Sequence, residues 1–179
     1  MIAITLPDGS VRNYENELTV LDVAKDISEG LARNVLSARF NDSIVEASTT
    51  LNTSGNLTLY TWNDDEGKTA FWHSSAHILA QSILALYPEA KLTIGPAIEN
   101  GFYYDVDFGD VSFSENDLEK LEEQFLNFAR QKFEFKMRSA SKADALSFYK
   151  KEDNPFKVCL LYTSPSPRDL STSRMPSSA

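Results

Sequence analysis

With 179 residues, 42% of them hydrophobic, the chain is long enough for one ordinary domain or two small ones, and its composition is that of a folded protein. Its 17 basic and 26 acidic residues give a formal charge of -9, which argues against gripping nucleic acid mainly by coating phosphates with Lys and Arg but leaves room for a local contact. No apolar run reaches bilayer length and "MIAITLPDGS" lacks a basic start before an apolar core, so a soluble, cytoplasmic protein with no membrane partner is expected.

The first sixty residues alternate as short strands do. "IAITL" puts Ile2 and Ile4 on one face, "DGS" supplies a turn, and "VRNY" returns as the second strand of a hairpin. In "LTVLDVAKDISEG", Val20, Val23, Ala24 and Ile27 follow the spacing of one helix face. Thr19 as N-cap with Asp22 three residues on forms a capping box, Leu18 and Val23 occupy the staple positions, and Gly30 reads as the stop. "VLSARFND", "SIVEAST" and "NLTLYTW" then read as strands. This order predicts a small mixed sheet with one helix on a single face.

"NDDEGK", residues 63–68, is polar and marks a linker. A helix is expected from near Thr69, with Trp72, Ala76, Leu79, Ile83 and Leu86 as its apolar stripe and Pro88 as its end. "LTIGPAIENGFYYDVDF" reads as two extended segments joined by a Gly- and Pro-containing bend. Ser114 with Asp117, and Phe113 with Leu118, signal a further helix that buries Leu118, Leu121, Phe125 and Phe128. "FEFKMR" suggests a strand and "KADALSFYKK" a short helix, giving a second α+β unit still open at Val158. Residues 159–179, rich in Ser and Pro, are expected to form no element and complete no core. They resemble translated adapter or vector sequence. Cys159, which falls there, has no second cysteine with which to pair.

Both histidines of the chain, His73 and His77, stand four apart on the predicted helix, about 100° around from its apolar stripe. That spacing brings two imidazoles to one face, close enough to share a metal, a water or a substrate. A zinc site needs a third and usually a fourth ligand, which the neighbouring sequence does not supply, so no metal is expected. His73-Ser-Ser-Ala-His77 also lacks the glutamate of a metalloprotease helix. From spacing alone, two hydrogen-bonded histidines on a helix flank are the better reading of the pattern.

"HSSAHILAQSILALYP" followed by "IGPAIENGFYYDVD" resembles the second domain of the threonyl-tRNA synthetase family, and the first sixty residues resemble the TGS domain, a ubiquitin-like β-grasp module that opens that enzyme. The resemblance covers residues 1–158 in the family's own order. It implies a TGS domain at 1–62, a linker at 63–68, the N-terminal part of an editing domain at 69–158, and a tail at 159–179. It implies hydrolysis of serine wrongly attached to the tRNA, with His73 and His77 as candidate catalytic residues. A missing methyl group is worth only about 1–3 kcal/mol of discrimination, so a second check is needed. Imidazoles suit ester cleavage because their ordinary pKa lies near neutrality.

The resemblance further implies that Lys157 in "NPFKV", Tyr104 and Gly95 line the substrate pocket. Read without the family, these are an exposed charge, a packed aromatic and a turn residue. In the family a cysteine and a histidine four apart face the first pair from further along the domain, and the chain ends before reaching them. ATP, magnesium and zinc are implied for the full-length enzyme, with no cofactor in this chain, and the chain alone is expected to be inactive in aminoacylation. Threonine-specific tRNA is the implied partner, with no DNA, and a homodimer through the catalytic domain. Two other readings remain open: a non-enzymatic TGS-type RNA- or protein-binding module, and a free-standing editing hydrolase. The histidine helix and "IGPAIENGFYYD" speak against the first, and the second requires the cysteine–histidine motif.

Overall fold

Alternation in "IAIT" buries every second side chain, and the computed structural model, which describes residues 1–133, 135 and 140–163, builds its first sheet on that pattern. The elements are β1 (Ile2–Thr5), β2 (Val11–Tyr14), β3 (Leu18–Thr19), α1 (Val20–Ile27), α2 (Glu29–Asn34), β4 (Ser37–Phe40), β5 (Ser43–Glu46), β6 (Thr50–Leu51) and β7 (Gly55–Tyr60). There follow α3 (Asp65–Leu86), β8 (Lys91–Leu92), β9 (Ala97–Ile98), β10 (Gly101–Phe102), β11 (Val106–Asp107), α4 (Glu115–Gln131), α5 (Lys142–Lys151) and α6 (Pro155–Thr163). The class is α+β, and the chain forms two compact units, Met1–His73 and Ser74–Ala179.

In the first unit a five-stranded sheet runs β2-β1-β7-β4-β5, with β1 and β7 parallel and the other neighbours antiparallel. Ile4, Val20, Val23, Ala38, Leu51 and Leu57 form its core, each at most 1% exposed. α1 contributes Val20 and Val23 because its start is fixed. Asp22 Oδ2 accepts from the Thr19 N–H at 3.0 Å and the Thr19 hydroxyl at 2.6 Å, while Thr19 Oγ1 accepts from the Asp22 N–H. The next free N–H groups, of Val20 and Leu21, donate to the carbonyls of Thr49 and Ala47. Gly30 does not end this helix. Ser28, in extended backbone, closes α1 and caps α2 by accepting from the Leu31 N–H, so Gly30 lies inside the second, short helix.

The capping box gives α1 a pH dependence. Hydrogen bonds from the Thr19 hydroxyl, then from its N–H and from Lys25, hold the Asp22 carboxyl below its ordinary value of 3.8. A lowered folded-state pKa contributes stability above the unfolded value, and that contribution is lost as pH falls through the folded one. The unfolding midpoint is therefore expected to drop on acidification below about pH 4, and Asp22→Asn to flatten part of that drop. An identical acid slope in the variant would remove the box from the cause.

α3 begins at Asp65, four residues before Thr69, and takes up most of the polar "NDDEGK" stretch. The Thr61 N–H and hydroxyl donate to Asp64 Oδ2, closing a turn into the helix, and Asp65 and Glu66 supply negative charge where a helix N-terminus favours it. Gly67, buried in the first turn, presses on Thr61; an added Cβ would overlap the Thr61 carbonyl oxygen. Gly67→Ala is expected to destabilise the first unit by about 1–3 kcal/mol, the cost typical of overpacking against a neighbour that cannot yield. Denaturant unfolding checks this, and an unchanged midpoint would contradict the close approach.

In the second unit Ala80 and Ile83 of α3 pack with Ala90, Leu92 and Leu121, flanked by Leu79, Leu86, Tyr104 and Val106. The extended region is one interrupted hairpin. β8 pairs antiparallel with β11, the ladder continues through Thr93 and Ile94 to Asp105, and β9 pairs with β10. Its reversal falls at Glu99–Asn100, so Gly95–Pro96 is a break within the first arm and not the bend between two arms. α4 starts as predicted, with Asp117 Oδ2 accepting from the Ser114 N–H and hydroxyl, and it buries Leu121. Leu118 is 53% exposed, because Phe113 stacks on Phe108 at 4.8 Å and meets Tyr87 instead of closing a staple.

α5 forms as expected. The segment "FEFKMR" falls largely outside the described residues. The tail expectation is corrected for its first residues: α6 runs through Cys159 to Thr163, and Leu161 is buried. Pro155 at the first helical position sets that helix in motion before the serine-rich composition begins. Among the described residues no helix is long and apolar enough to cross a membrane.

Candidate functional site

His73 and His77 both lie on α3, on successive turns and one face, as the helical period requires. Both are half-buried. They flank a row formed by Ala76, Ala80 and Ile83, exposed by 2%, 7% and 2%. The His77 ring stands 6.0 Å from the Phe135 ring, tilted by 45°.

Gly95 and Tyr104, on opposite arms of the hairpin, are in contact. A Cβ at residue 95 would collide with the Tyr104 ring, so glycine is what lets the tyrosine lie against that backbone. Burial, and to a smaller extent neighbouring Tyr149 on α5, push the Tyr104 phenol up to about 12. Tyr104 therefore stays neutral and keeps its proton as a hydrogen-bond donor. Gly95 serves as a seat for that ring, and the turn of the hairpin is elsewhere.

Lys157 stands at the third position of α6 and is half-buried. Burial lowers its ammonium pKa, and no ion pair among the described residues involves it. The reading of Lys157 as a freely exposed charge gives way to a desolvated cation. Asn154 holds the start of its helix: Asn154 Oδ1 accepts from the Lys157 N–H at 3.0 Å, and Asn154 Nδ2 donates to the Leu92 carbonyl of β8 at 3.1 Å. Beside it, Lys91 and Asp153 form an ion pair at 2.7 Å. Sequence reasoning passed over Asn154, although asparagine followed by proline at the first helical position is an N-cap signature.

The five candidate residues thus fall into three placements. The period of α3 pairs the histidines, the hairpin pairs Gly95 with Tyr104, and Asn154 ties Lys157 to β8 of that hairpin. Such groups offer proton acceptors and donors and one desolvated cation, a set suited to handling an ester and a hydroxyl-bearing substrate. Among the described residues no group of three or more His, Cys, Asp or Glu side chains is placed to hold a metal ion.

The profile of the TGS domain matches residues 2–61. Over 161 residues, 90% of this chain, the sequence is 58% identical to a threonine–tRNA ligase of Flavobacterium psychrophilum. It is 52% identical to that of Cytophaga hutchinsonii and 46% identical to that of Clostridioides difficile over the same length. The chain corresponds to the N-terminal region of the threonine–tRNA ligases. It spans about a quarter of the length of these relatives, 24% of the first and 25% of the other two. The sheet of β2-β1-β7-β4-β5 carrying α1 is thus a TGS domain. Identity at this level extends well past residue 61, so the likeness also takes in α3 and the hairpin.

Proposed function

We propose that residues 69–158 are the N-terminal part of an editing domain that, within a full-length threonine–tRNA ligase, removes wrongly attached serine from the tRNA. The observation that carries the reading is the pair of half-buried imidazoles one turn apart on α3, outside the fully buried row of that helix.

In the reaction, the oxygen of a water bonds to the seryl carbonyl carbon and the ester bond to the ribose oxygen breaks. The water gives up a proton and the ribose oxygen takes one, releasing serine and tRNA. His73 and His77 accept and return that proton and orient the water and the ribose hydroxyl. Tyr104, held neutral, donates a hydrogen bond, and Lys157 steers the electron-rich end of the substrate.

In the same reading threonine-specific tRNA is the macromolecular partner and the enzyme is cytoplasmic. A full-length enzyme carrying this sequence activates threonine with ATP, with magnesium and zinc, and acts as a dimer in this reading. The test is serine release from seryl-tRNA by a full-length enzyme carrying this sequence, with and without substitution of either histidine. Release at the parental rate in both variants would overturn the reading.

A further inference from the structure

Asn154 ties the helix that carries Lys157 to the hairpin. Asn154 sits where α5 ends, α6 begins and β8 passes, and all its polar groups are used there. Its N–H donates to the Tyr149 carbonyl, its own carbonyl accepts from the Val158 N–H, Oδ1 accepts from the Lys157 N–H, and Nδ2 donates to the Leu92 carbonyl. The last bond joins residues 62 apart in sequence. Leu92 is buried and lies three residues before Gly95, the seat of Tyr104, while Tyr149 is the tyrosine felt by the Tyr104 phenol. One amide therefore connects the element that carries Lys157 with the hairpin that carries Gly95 and Tyr104.

We propose that Asn154 is a positioning residue for editing: its two-sided amide clamps the first turn of α6 to β8 and so fixes Lys157 relative to Gly95 and Tyr104. The inference rests on the editing reading given above. A helix N-cap needs only the acceptor, which serine and aspartate also supply. Asparagine adds a donor at the same position, and that donor is spent on the sheet. The neighbouring Lys91–Asp153 pair, in which Asp153 is largely exposed to solvent, cannot substitute for it, because an exposed ion pair contributes little and fixes geometry loosely. Lys157 has long, rotatable methylenes, so its head is placed only as well as its backbone is held.

The experiment is a double-mutant cycle on seryl-tRNA deacylation by the full-length enzyme, with Asn154→Ser, Lys157→Ala and the double variant. Asn154→Ser keeps the cap acceptor and loses the reach to Leu92. A misplacement of about 1 Å can cost on the order of 10²-fold, so Asn154→Ser is expected to lower kcat for deacylation by roughly 10–10²-fold with KM nearly unchanged. The double variant is expected to be no slower than Lys157→Ala alone, because Asn154 acts through Lys157. Additive effects, or a parental rate in Asn154→Ser, would overturn the proposal. If Lys157→Ala itself has no effect, the editing role of Lys157 fails and the proposal falls with it, an outcome distinct from failure of Asn154 alone. Threonylation and the melting temperature report folding, and should Asn154→Ser not fold, Asn154→Asp, which keeps the amide's shape and cap acceptor but lacks the donor, replaces it in the same cycle.

Discussion

His73→Ala or His77→Ala, introduced into a full-length threonine–tRNA ligase carrying this sequence, is expected to slow serine release from seryl-tRNA by about 10²–10⁴-fold, the usual loss when a positioned proton-transfer group is removed. Threonylation is expected to stay close to the parental rate. The expectation of selectivity comes from packing. The buried side chains of α3 are Ser75, Ala76, Ala80, Ser82 and Ile83, and neither imidazole is among them. Truncating a half-buried side chain at the margin opens no cavity in the centre, so the loss of stability should be far smaller than for a core deletion. The comparison to make is deacylation rate against melting temperature in both variants. Unchanged deacylation together with a large fall in melting temperature would show that the pair is structural.

Leu57→Ala is expected to have the largest effect on stability. Leu57 is 1% exposed on β7, stands opposite Phe40 of β4, and belongs to the cluster with Ile4, Val20, Val23, Ala38 and Leu51. Leu→Ala at such sites costs about 2–5 kcal/mol, the spread reflecting how far the surroundings collapse into the space. A domain of some sixty residues has roughly 3–9 kcal/mol in all. The variant should therefore leave the TGS unit near its unfolding threshold. Ile44 on the edge strand β5, 53% exposed, provides the contrast, with an expected change within about 0.5 kcal/mol on Ile44→Ala. Chemical denaturation of the whole chain, followed by amide signals of the first unit, separates the two. Equal midpoints for both variants would contradict the core placement.

What the sequence made legible was local. The start of α1 could be read because Thr19 and Asp22 satisfy each other within one turn, and the strands because alternation survives over four residues. The misplaced features are those decided by partners distant in the chain or by a competing neighbour. Gly30 reads as a stop until Ser28, two residues earlier, is seen to end one helix and begin another. Leu118 has the spacing of a staple, but Phe113 finds a better surface on Phe108, five residues upstream. Gly95–Pro96 has the composition of a turn, yet glycine is required there by the Tyr104 ring on the facing arm. The candidate site divides the same way. The histidine pair is visible as a spacing, Lys157 and Tyr104 only through family likeness, and Asn154 only once its bond to Leu92 is seen.

The central strands of the TGS sheet have a consequence for synthesis. β1 occupies residues 2–5, yet its inner neighbour is β7, met through Ile4 opposite Gly55 and Thr5 opposite Asn56. The β1–β2 hairpin can close early, but one long side of β1 has no mate until residues 55–60 have left the ribosome. At roughly 5–20 residues per second, that interval is about 3–11 s. During it Ile2 and Ile4 have only part of their core, since Leu57 of the same cluster lies on β7 and has not yet emerged. A nascent chain of this protein thus carries an open strand edge along β1 until β7 emerges, and a pairing between such distant strands places its folding among the slower topologies.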